Sequence, residues 1–319
     1  MKSKRKFKKI LKNKIWYLIV GIIALVATIF SNCENTQGFK IKSIFNSSSS
    51  ASKEESGKNI SEDLQVHFLD VGKADFIYIR FKNYNIVIDA ADKDPNNTVT
   101  EYLKKQDVSK IDLVAVSHMH RDHIGQMTEV IKNFDVEKFI VSEMPESLIP
   151  TGKVYEKMLR ALKEKEVDAK IAKAGESFEI EDLKIEVLGP IKPGKNLNDT
   201  SLVLKMTYKD VSFLFTGDAE KAEESDIINE GYNLKADVLK VGHHGSRTSS
   251  SENFLKKVSP KFAVISVGPD KNKLPKEEIL KRIEKYCKNI HRTDLNGNII
   301  ISTNGKDIKI EDEKTGRRS

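Results

Sequence analysis

Three of the seven histidines in this 319-residue chain fall within the segment SHMHRDHIGQ at positions 117–126. The run IDLVAVS before it is apolar enough for a buried strand, and IGQMTEVIKNF after it has the apolar spacing of a helix. The segment is therefore predicted to lie at a strand-to-helix turn, where rigid elements hold functional loop side chains in place. This feature favours a fold of strands and helices with a polar site at a strand end.

The chemistry of these side chains indicates metal binding. His118 and His120 are two residues apart in an extended segment and therefore point to the same side. The turn that follows can bring Asp122 and His123 to the opposite side of the same point. Neutral imidazoles and carboxylates are ligands that suit zinc or manganese. The alternative is a polar loop whose imidazoles are neighbours by accident.

The first 31 residues predict a membrane segment. Residues 1–14 contain eight Lys and Arg and no acid, and residues 15–30 carry no charge. As a helix this apolar run spans about 24 Å, slightly less than a hydrocarbon core of ~30 Å. A basic flank favours a cytoplasmic tail at 1–14 and a transmembrane signal-anchor at 15–31, with the later residues outside the cell membrane. The alternative is secretion after cleavage of a signal peptide.

The next segment, residues 32–62, is predicted to be a disordered tether. It is rich in Ser, Lys and Glu and has too little apolar content to fold. One of the two cysteines, Cys33, lies in this tether, so an internal disulfide framework is not expected. The folded domain is expected to cover residues 63–315.

The formal net charge of +7 is located in the tail. The chain has 54 basic and 47 acidic residues, and eight of the basic ones lie in residues 1–14. The rest of the chain is therefore close to neutral. Nonspecific DNA binding depends on Lys and Arg that neutralise phosphates, so composition alone does not indicate a nucleic-acid partner.

Polar side chains end three further apolar strands. Asp89 follows NIVI, Asp218 follows VSFLFTG, and His243 and His244 follow ADVLKVG. A single Asp at a strand end is usually a turn residue or a helix N-cap. Five of the seven histidines fall at two strand ends, however, so we expect the strand ends to meet at one site. The two remaining histidines are predicted to be structural: His67 and His291.

Seven motifs carry a family resemblance. They are HFLDVGKAD at 67–75, VIDAA at 87–91, SHMHRDHIG at 117–125, NDTSLVLKM at 198–206, FLFTGDAE at 213–220, ADVLKVGHHGS at 236–246 and AVISVG at 263–268. Together they resemble the metallo-β-lactamase superfamily, and more closely the hydrolase domain of ComEC-type competence proteins. The resemblance covers about residues 66–305. It implies an α/β (α+β) fold, a four-layer αββα sandwich, here preceded by one transmembrane helix.

The resemblance also implies two divalent metal ions, Zn²⁺ or Mn²⁺, and assigns the residues that hold them. The first ion would be bound by His118 and His120, the second by Asp122, His123 and His243, and both by Asp218.

Further roles follow from the same resemblance. Asp89 would orient a metal-bound imidazole, and His244, the second histidine after its strand, would face the substrate. The residues expected to act in catalysis are Asp122, His244 and Asp89. The residues expected to contact substrate are Asn198, Asp199, Ser201, Ser246 and Arg247.

The chain departs from the family pattern at three places. Asn198 and Asp199 stand where most members supply another histidine, a change typical of the competence-like branch. Gly72-Lys73-Ala74-Asp75 replaces the more usual Gly-Gln-Gly-Asp. Leu274 stands where a Gly-His-Pro histidine is usual, which is expected to lower activity or alter the substrate.

The resemblance implies a metal-dependent hydrolase, and the N-terminal segment predicts that this hydrolase is membrane-anchored and extracytoplasmic. The favoured activity is a phosphodiesterase or nuclease acting on DNA, in which a hydroxide between the two ions attacks phosphorus. A single apolar span does not make a multi-span channel, so we expect a stand-alone relative without an obligate protein partner. The alternatives are a cell-envelope phosphodiesterase of the teichoic-acid or phosphocholine type and a non-catalytic surface binding module.

Overall fold

The computed structural model describes residues 39–40 and 63–314. The predicted basic tail at 1–14 and the predicted transmembrane segment at 15–31 lie outside the described residues, as does the tether apart from residues 39–40. Among the helices of the described part, none is long and apolar enough to cross a membrane.

Strands dominate the described part of the chain. In chain order they are β1 Phe39–Lys40, β2 Leu64–Phe68, β3 Ile77–Phe81, β4 Tyr84–Ile88, β5 Lys110–Ile111, β6 Leu113–Val116, β7 Asp135–Val136, β8 Lys138–Ser142, β9 Asp168–Ala172, β10 Ser177–Ile180, β11 Leu183–Gly189, β12 Val203–Tyr208, β13 Val211–Phe215, β14 Val238–Lys240, β15 Phe262–Ile265, β16 Asn289–Arg292, β17 Ile299–Thr303 and β18 Ile308–Asp312. The N-terminal sheet has the order β18-β17-β2-β3-β4-β6-β8-β9, and the C-terminal sheet has the order β1-β10-β11-β12-β13-β14-β15-β16. β5 and β7 form a separate two-stranded sheet.

Helices and short 3₁₀ turns connect these strands. The α-helices are α1 Thr98–Lys105, α2 Arg121–Ile124, α3 Met127–Asn133, α4 Lys153–Glu164, α5 Lys221–Glu230, α6 Glu252–Val258, α7 Glu277–Glu284 and α8 Thr293–Asn296. The 3₁₀ turns are Glu146–Leu148, Asn198–Thr200 and Gly242–Gly245. The helix predicted after the histidine cluster is present as α2 and α3.

The two large sheets pack face to face around one apolar core. Phe68 of the N-terminal sheet and Phe213 of the C-terminal sheet belong to this core and are fully buried. On the outer face of the N-terminal sheet, Leu103 and Met127 contribute from α1 and α3 to a second core. On the outer face of the C-terminal sheet, helices α5 to α7 form a third. These layers are the αββα sandwich that the sequence predicted.

One short strand lies inside the segment predicted to be a tether. Phe39–Lys40 pairs in parallel with β10 at the edge of the C-terminal sheet. The edge of a sheet presents unpaired backbone N–H and C=O groups, to which an extended segment can add.

Parallel pairing brings the polar strand ends to one edge of the sandwich. β4 pairs in parallel with β6, and β13, β14 and β15 are mutually parallel neighbours. The carboxyl ends of parallel strands lie at the same edge, where ligand sites of open α/β sheets occur. Asp89, His118, Asp218 and His244 all follow such ends.

Glu223 in α5 gives the fold a pH dependence that can be measured. Its side chain is buried and accepts a hydrogen bond from the Ile191 N–H at 3.0 Å. Burial raises the pKa of Glu223 to about 7. The unfolded chain loses this proton near pH 4.5, so stability falls as the pH rises from there through about 7.

Replacing Glu223 by Gln is therefore expected to remove this fall in stability with rising pH. The amide keeps an acceptor for the Ile191 N–H and cannot ionise. Between pH 5 and pH 8 the free energy of unfolding of the variant should improve relative to the parent by about 2–3 kcal/mol. Denaturant unfolding at pH 5 and pH 8 measures this change. A difference in the free energy of unfolding between variant and parent that is the same at both pH values would contradict the prediction.

Candidate metal centre

Imidazole and carboxylate side chains from three strand ends form two clusters. The first, site 1, comprises His118, His120 and Asp218, and the second, site 2, comprises Asp122, His123 and His244. Within each cluster, one nitrogen or oxygen atom of every side chain lies within 4.8 Å of the corresponding atoms of the others. The structure therefore brings together residues that are up to 126 positions apart in the chain.

Asp218 lies between the two clusters. Its Oδ2 is 3.9 Å from His118 Nε2 and 3.4 Å from His123 Nε2. Its Oδ1 is 3.7 Å from His244 Nε2. This carboxylate faces both clusters, which is the geometry expected of a ligand shared by two ions.

Three buried atoms of the clusters have no hydrogen-bond partner, which bears on whether metal ions fit. His123 Nε2, His244 Nε2 and Asp218 Oδ1 are buried and have no hydrogen-bond partner. Buried polar atoms are nearly always paired in native proteins. Imidazole nitrogen and carboxylate oxygen are also the donor set of zinc and manganese sites. The residues present therefore fit two divalent ions, which would satisfy the unpaired atoms.

Asp89 holds an imidazole of site 2 from behind. Its Oδ2 accepts a hydrogen bond from His123 Nδ1 at 2.8 Å, and its Oδ1 accepts one from the Ser117 N–H at 2.7 Å. These contacts leave the other ring nitrogen of His123 directed at Asp218. A carboxylate that bonds the far nitrogen of a ligating histidine fixes its tautomer and orientation, as expected for Asp89 from the sequence.

The sequence predicts His243 as a ligand of the second ion and His244 as a residue facing the substrate, whereas the structure places His244 in site 2. His244 is fully buried, its Nδ1 is hydrogen-bonded to the Ser266 carbonyl at 2.8 Å, and its Nε2 is 3.8 Å from Asp122 Oδ2. Both histidines have left-handed backbones, with φ of 49° and 53°. Two such residues in succession break the usual alternation after a strand, so the second imidazole, not the first, enters site 2.

His243 lies at the rim of the centre. Its side chain is 20% exposed, and its Nε2 is 3.8 Å from Asp218 Oδ2. Its Nδ1 is 2.9 Å from Thr248 Oγ1 and 3.5 Å from Glu220 Oε1. His243 belongs to neither cluster of potential ligands in the described part of the chain.

Burial and neighbouring charges shift the pKa values of the side chains in the two clusters. Burial lowers the pKa of His118 well below its ordinary value. Burial also disfavours a charge on His123, but the carboxylates of Asp218 and Asp89 raise its pKa well above the ordinary value. Burial disfavours a charge on Asp218, yet the neighbouring His123 and His244 hold its pKa well below the ordinary value. Metal binding at site 2 would therefore compete with protonation of His123.

A buried ion pair below site 2 was missed at the sequence level. Lys240 Nζ lies 2.7 Å from Asp75 Oδ2, and both side chains are 1% exposed. Asp75 Oδ1 is 3.8 Å from His244 Nδ1, and Asp75 Oδ2 is 3.9 Å from His123 Nδ1. The sequence signal was a single lysine inside the apolar run ADVLKVG.

Ser201 contacts two residues of site 1 and is not exposed to solvent. It is fully buried, its Oγ accepts a hydrogen bond from the Asp218 N–H at 3.0 Å, and the same atom is 3.5 Å from His118 Nδ1. A hydroxyl in this position cannot reach a substrate. The predicted substrate contact is therefore corrected: Ser201 positions two residues of site 1.

Asn198 and Asp199 lie in a 3₁₀ turn near the rim. Asn198 Nδ2 donates to Glu220 Oε1 at 3.1 Å and is 3.4 Å from His243 Nδ1. Asp199 is buried, and burial raises the pKa of its carboxyl. Asn198 supports the rim histidine, whereas Asp199 faces the protein interior.

The other predicted substrate residues point elsewhere. Arg247 donates to Glu278 Oε1 at 2.8 Å and is 64% exposed, while the Ser246 hydroxyl is 3.2 Å from Thr248 Oγ1. Leu274, at the position of the missing histidine, packs against the apolar core outside the C-terminal sheet. None of these three side chains enters site 1 or site 2.

The two histidines predicted to be structural lie outside both clusters. His67 Nδ1 is 2.7 Å from the Tyr102 hydroxyl, and burial lowers the pKa of His67 to about 4. His291 lies in β16 at the edge of the C-terminal sheet and is half-buried.

An open cleft of about 380 Å³ adjoins the clusters. It is lined by Lys73, Asp92, His120, Arg121, Asp122, Asp270, Lys271 and Asn272. His120 belongs to site 1 and Asp122 to site 2, so a molecule in the cleft would reach both. The lining includes none of the five substrate residues predicted from the sequence.

Comparison with known proteins identifies relatives of this chain. Residues 69–268 match the family model described as "Metallo-beta-lactamase superfamily". ComE operon protein 3 of Bacillus subtilis is 35% identical over 200 residues, which are 62% of this chain and 25% of that protein. Competence protein ComA of Neisseria gonorrhoeae is 30% identical over 233 residues, 72% of this chain and 30% of that protein. The chain thus spans less than a third of the length of these relatives.

Solved structures with little sequence identity share the fold. CmlA, a diiron beta-hydroxylase from Streptomyces venezuelae, superposes with a TM-score of 0.52 at 11% identity, covering 77% of this chain and 55% of CmlA. The metallo-beta-lactamase fold protein YhfI from Bacillus subtilis gives 0.51 at 11% identity, covering 76% of this chain and all of YhfI. One of these is a hydroxylase, so the fold alone does not determine the reaction. The family match, the competence relatives and the paired clusters together show that the chain belongs to the metallo-beta-lactamase superfamily, with a hydrolase domain of the ComEC type.

Proposed function

We propose that this protein is a metal-dependent phosphodiesterase that cleaves DNA. The observation that carries the proposal is the pair of His/Asp clusters that share the Asp218 carboxylate, 3.4 Å from His123 and 3.7 Å from His244. Two adjacent divalent ions suit the in-line displacement of phosphodiesters. The relative named as a competence protein supports DNA as the substrate.

The residues of the two clusters have different roles in the proposed reaction. Two ions at the clusters would supply Lewis acidity toward a phosphoryl oxygen and an activated water. His118, His120 and Asp218 hold site 1, and Asp122, His123 and His244 hold site 2. Asp89 keeps the His123 ring oriented through its 2.8 Å hydrogen bond.

His243 is assigned the transfer of a proton to the leaving oxygen. It is partly exposed at the rim, where a leaving group can depart, and its Nε2 is 3.8 Å from Asp218 Oδ2. Contacts to Thr248 and Asn198 hold the ring from the other side. Histidine changes charge near neutral pH and is the commonest general acid in enzymes.

We further propose that residues 15–31 anchor the protein in the cell membrane with the hydrolase domain outside. The basic residues of 1–14 favour this orientation. DNA that arrives from outside the cell is then within reach of the site. The membrane is the one partner that this proposal requires.

One observation favours a second candidate, a phosphodiesterase that acts on small cell-envelope phosphodiesters. Asp92, Asp122 and Asp270 line the cleft beside its cations. A cleft of mixed charge attracts a polyanion less than a basic groove does. The envelope candidate therefore requires an activity confined to small phosphodiesters.

Cleavage of DNA by the purified full-length protein in Mn²⁺ or Zn²⁺ is expected, and His120→Ala should reduce it by at least about 100-fold because site 1 loses a ligand. Gel assays on single- and double-stranded DNA and absorbance assays on bis(p-nitrophenyl) phosphate measure the two substrate classes. DNA cleavage should fall steeply with salt. Salt-independent activity on the small ester alone would favour the envelope candidate, and no cleavage of either would favour a binding module.

A further inference from the structure

Lys73 extends into the centre from a loop that no ligand assignment uses. The loop joins β2 to β3, and the Lys73 ammonium lies 2.5 Å from Asp122 Oδ2 with the side chain 24% exposed. The same Asp122 oxygen is 3.8 Å from His244 Nε2. Lys73 therefore holds a site 2 ligand and at the same time lines the cleft.

The backbone of this loop is fixed by a close contact. A Cβ added to Gly268 would lie 2.5 Å from Gly72 Cα and 3.0 Å from the Lys73 nitrogen. Only glycine at position 268 allows the two segments to approach so closely. The Lys73 Cα is thus held at the mouth of the cleft while its four-carbon stem remains free to turn.

A divalent ion at site 2 would compete with Lys73 for the Asp122 carboxylate. The ammonium and the ion carry charges of the same sign and would share one carboxylate. Like charges a few ångströms apart repel strongly where water is partly excluded. This repulsion would favour release of the ammonium from Asp122 into the adjoining cleft, which Lys73 already lines.

Loading of site 2 also changes the charge balance of the cleft. Arg121 is held by Asp92 through contacts of 2.8 Å, so the two charges cancel. An ion at site 2 would neutralise the charge of Asp122. Lys73 and Lys271 then face a single carboxylate, that of Asp270. The cleft beside a loaded centre is therefore positive.

We propose that this cleft is a subsite for the phosphate next to the one that is cleaved, and that Lys73 is its counter-ion, released from Asp122 when site 2 is loaded. The proposal rests on the proposed phosphodiesterase function and defines its substrate class as a chain of at least two linked phosphates. A diester with a single phosphate has nothing to place in this subsite.

Lys73→Met tests the proposal through two effects of opposite sign. Loss of the competing ammonium should tighten metal binding severalfold, measured by competition with a chromogenic chelator. Loss of the counter-ion should weaken binding of a phosphorothioate oligothymidylate in Mn²⁺ about tenfold, measured by fluorescence anisotropy. Lys73→Arg should restore much of the oligonucleotide binding, and the exposed Lys163→Met is the matched control that changes neither.

Lys271→Met separates the two roles of Lys73. Lys271 lines the same cleft, so this variant should weaken oligonucleotide binding. Its metal affinity should equal that of the parent, because in the described structure the ammonium bonded to Asp122 is that of Lys73.

Activity assays on two substrates show whether the effect of Lys73→Met depends on a second phosphate. Lys73→Met should lower kcat/KM for the oligonucleotide about tenfold relative to kcat/KM for bis(p-nitrophenyl) phosphate, which has no second phosphate to place in the subsite. An equal loss on both substrates, unchanged oligonucleotide binding, or weaker metal binding would each overturn the proposal. If the parent cleaves no phosphodiester, the proposed function fails, while the anisotropy and chelator measurements still decide whether the subsite exists.

Discussion

Asp218→Asn is expected to lower turnover by at least about 1,000-fold and to reduce the bound metal from two ions to one or none. The substitution keeps the shape of the side chain and the backbone N–H that donates to Ser201 Oγ at 3.0 Å. It removes the negative charge that lies within 4 Å of ring nitrogens in both clusters. A neutral amide is a poor ligand for zinc or manganese.

Metal content by mass spectrometry and steady-state rates on a phosphodiester measure the two effects. Asp210→Asn is the matched control, because Asp210 is an exposed carboxylate in the turn between β12 and β13. It should retain two ions and full activity. An Asp218→Asn variant within tenfold of the parent rate would remove Asp218 from the shared position between the clusters.

The location of the site follows from short-range patterns in the sequence. The spacing of His118, His120, Asp122 and His123 after an apolar run is a local feature, and local features are readable without the fold. Asp218 joins them because parallel strands end at the same edge of a sheet. Both sites could therefore be placed at this edge from the sequence.

The choice between His243 and His244 depended on backbone conformation. The prediction that His243 is a ligand depends on the first polar residue after a strand entering the site. The observed φ values of 49° and 53° belong to the left-handed region, which non-glycine residues seldom adopt. Nothing in the pattern HHGS indicates two such residues in succession, so the order of the imidazoles could be learned only from the structure.

Substrate contacts were the least predictable part of the site. Ser201 comes three residues after Asn198 and was expected to reach the same surface. The chain between them turns from a 3₁₀ turn into β12, and this change buries Ser201 completely. The sequence identifies Lys73 only as a departure from a family motif, because its contact with Asp122 joins a loop to a helix 49 positions further along the chain.

The ion pair of Lys240 and Asp75 also could not be predicted from the sequence, and its removal is expected to have a large effect on stability. An isolated lysine in an apolar strand is usually taken to point outward. β14 lies between β13 and β15, with the inter-sheet core on one face and helices on the other. Lys240 therefore has no route to solvent, and its ammonium meets Asp75 and the Val241 carbonyl instead.

Lys240→Met is expected to lower the free energy of unfolding of the metal-free protein by about 3–5 kcal/mol, because it removes the ammonium that lies closest to the buried Asp75 carboxylate. Burial raises the pKa of such a carboxyl, and it is the Lys240 ammonium that holds the Asp75 pKa below its usual range. The double variant with Asp75→Asn should recover most of the loss. Denaturant unfolding in the presence of a chelator measures all three proteins, with the exposed Lys163→Met as the control.

The pH dependence of the Lys240→Met deficit distinguishes a lost counter-ion from lost packing. Without the ammonium, the folded-state pKa of Asp75 rises above its unfolded value, so the variant binds a proton on folding. Its stability is then retained at low pH and lost as the pH rises through the new pKa. The deficit should therefore shrink from pH 7 to pH 4.5. A deficit that stays constant over this range, or a double variant no more stable than the single one, would show that packing and not the buried charge is responsible.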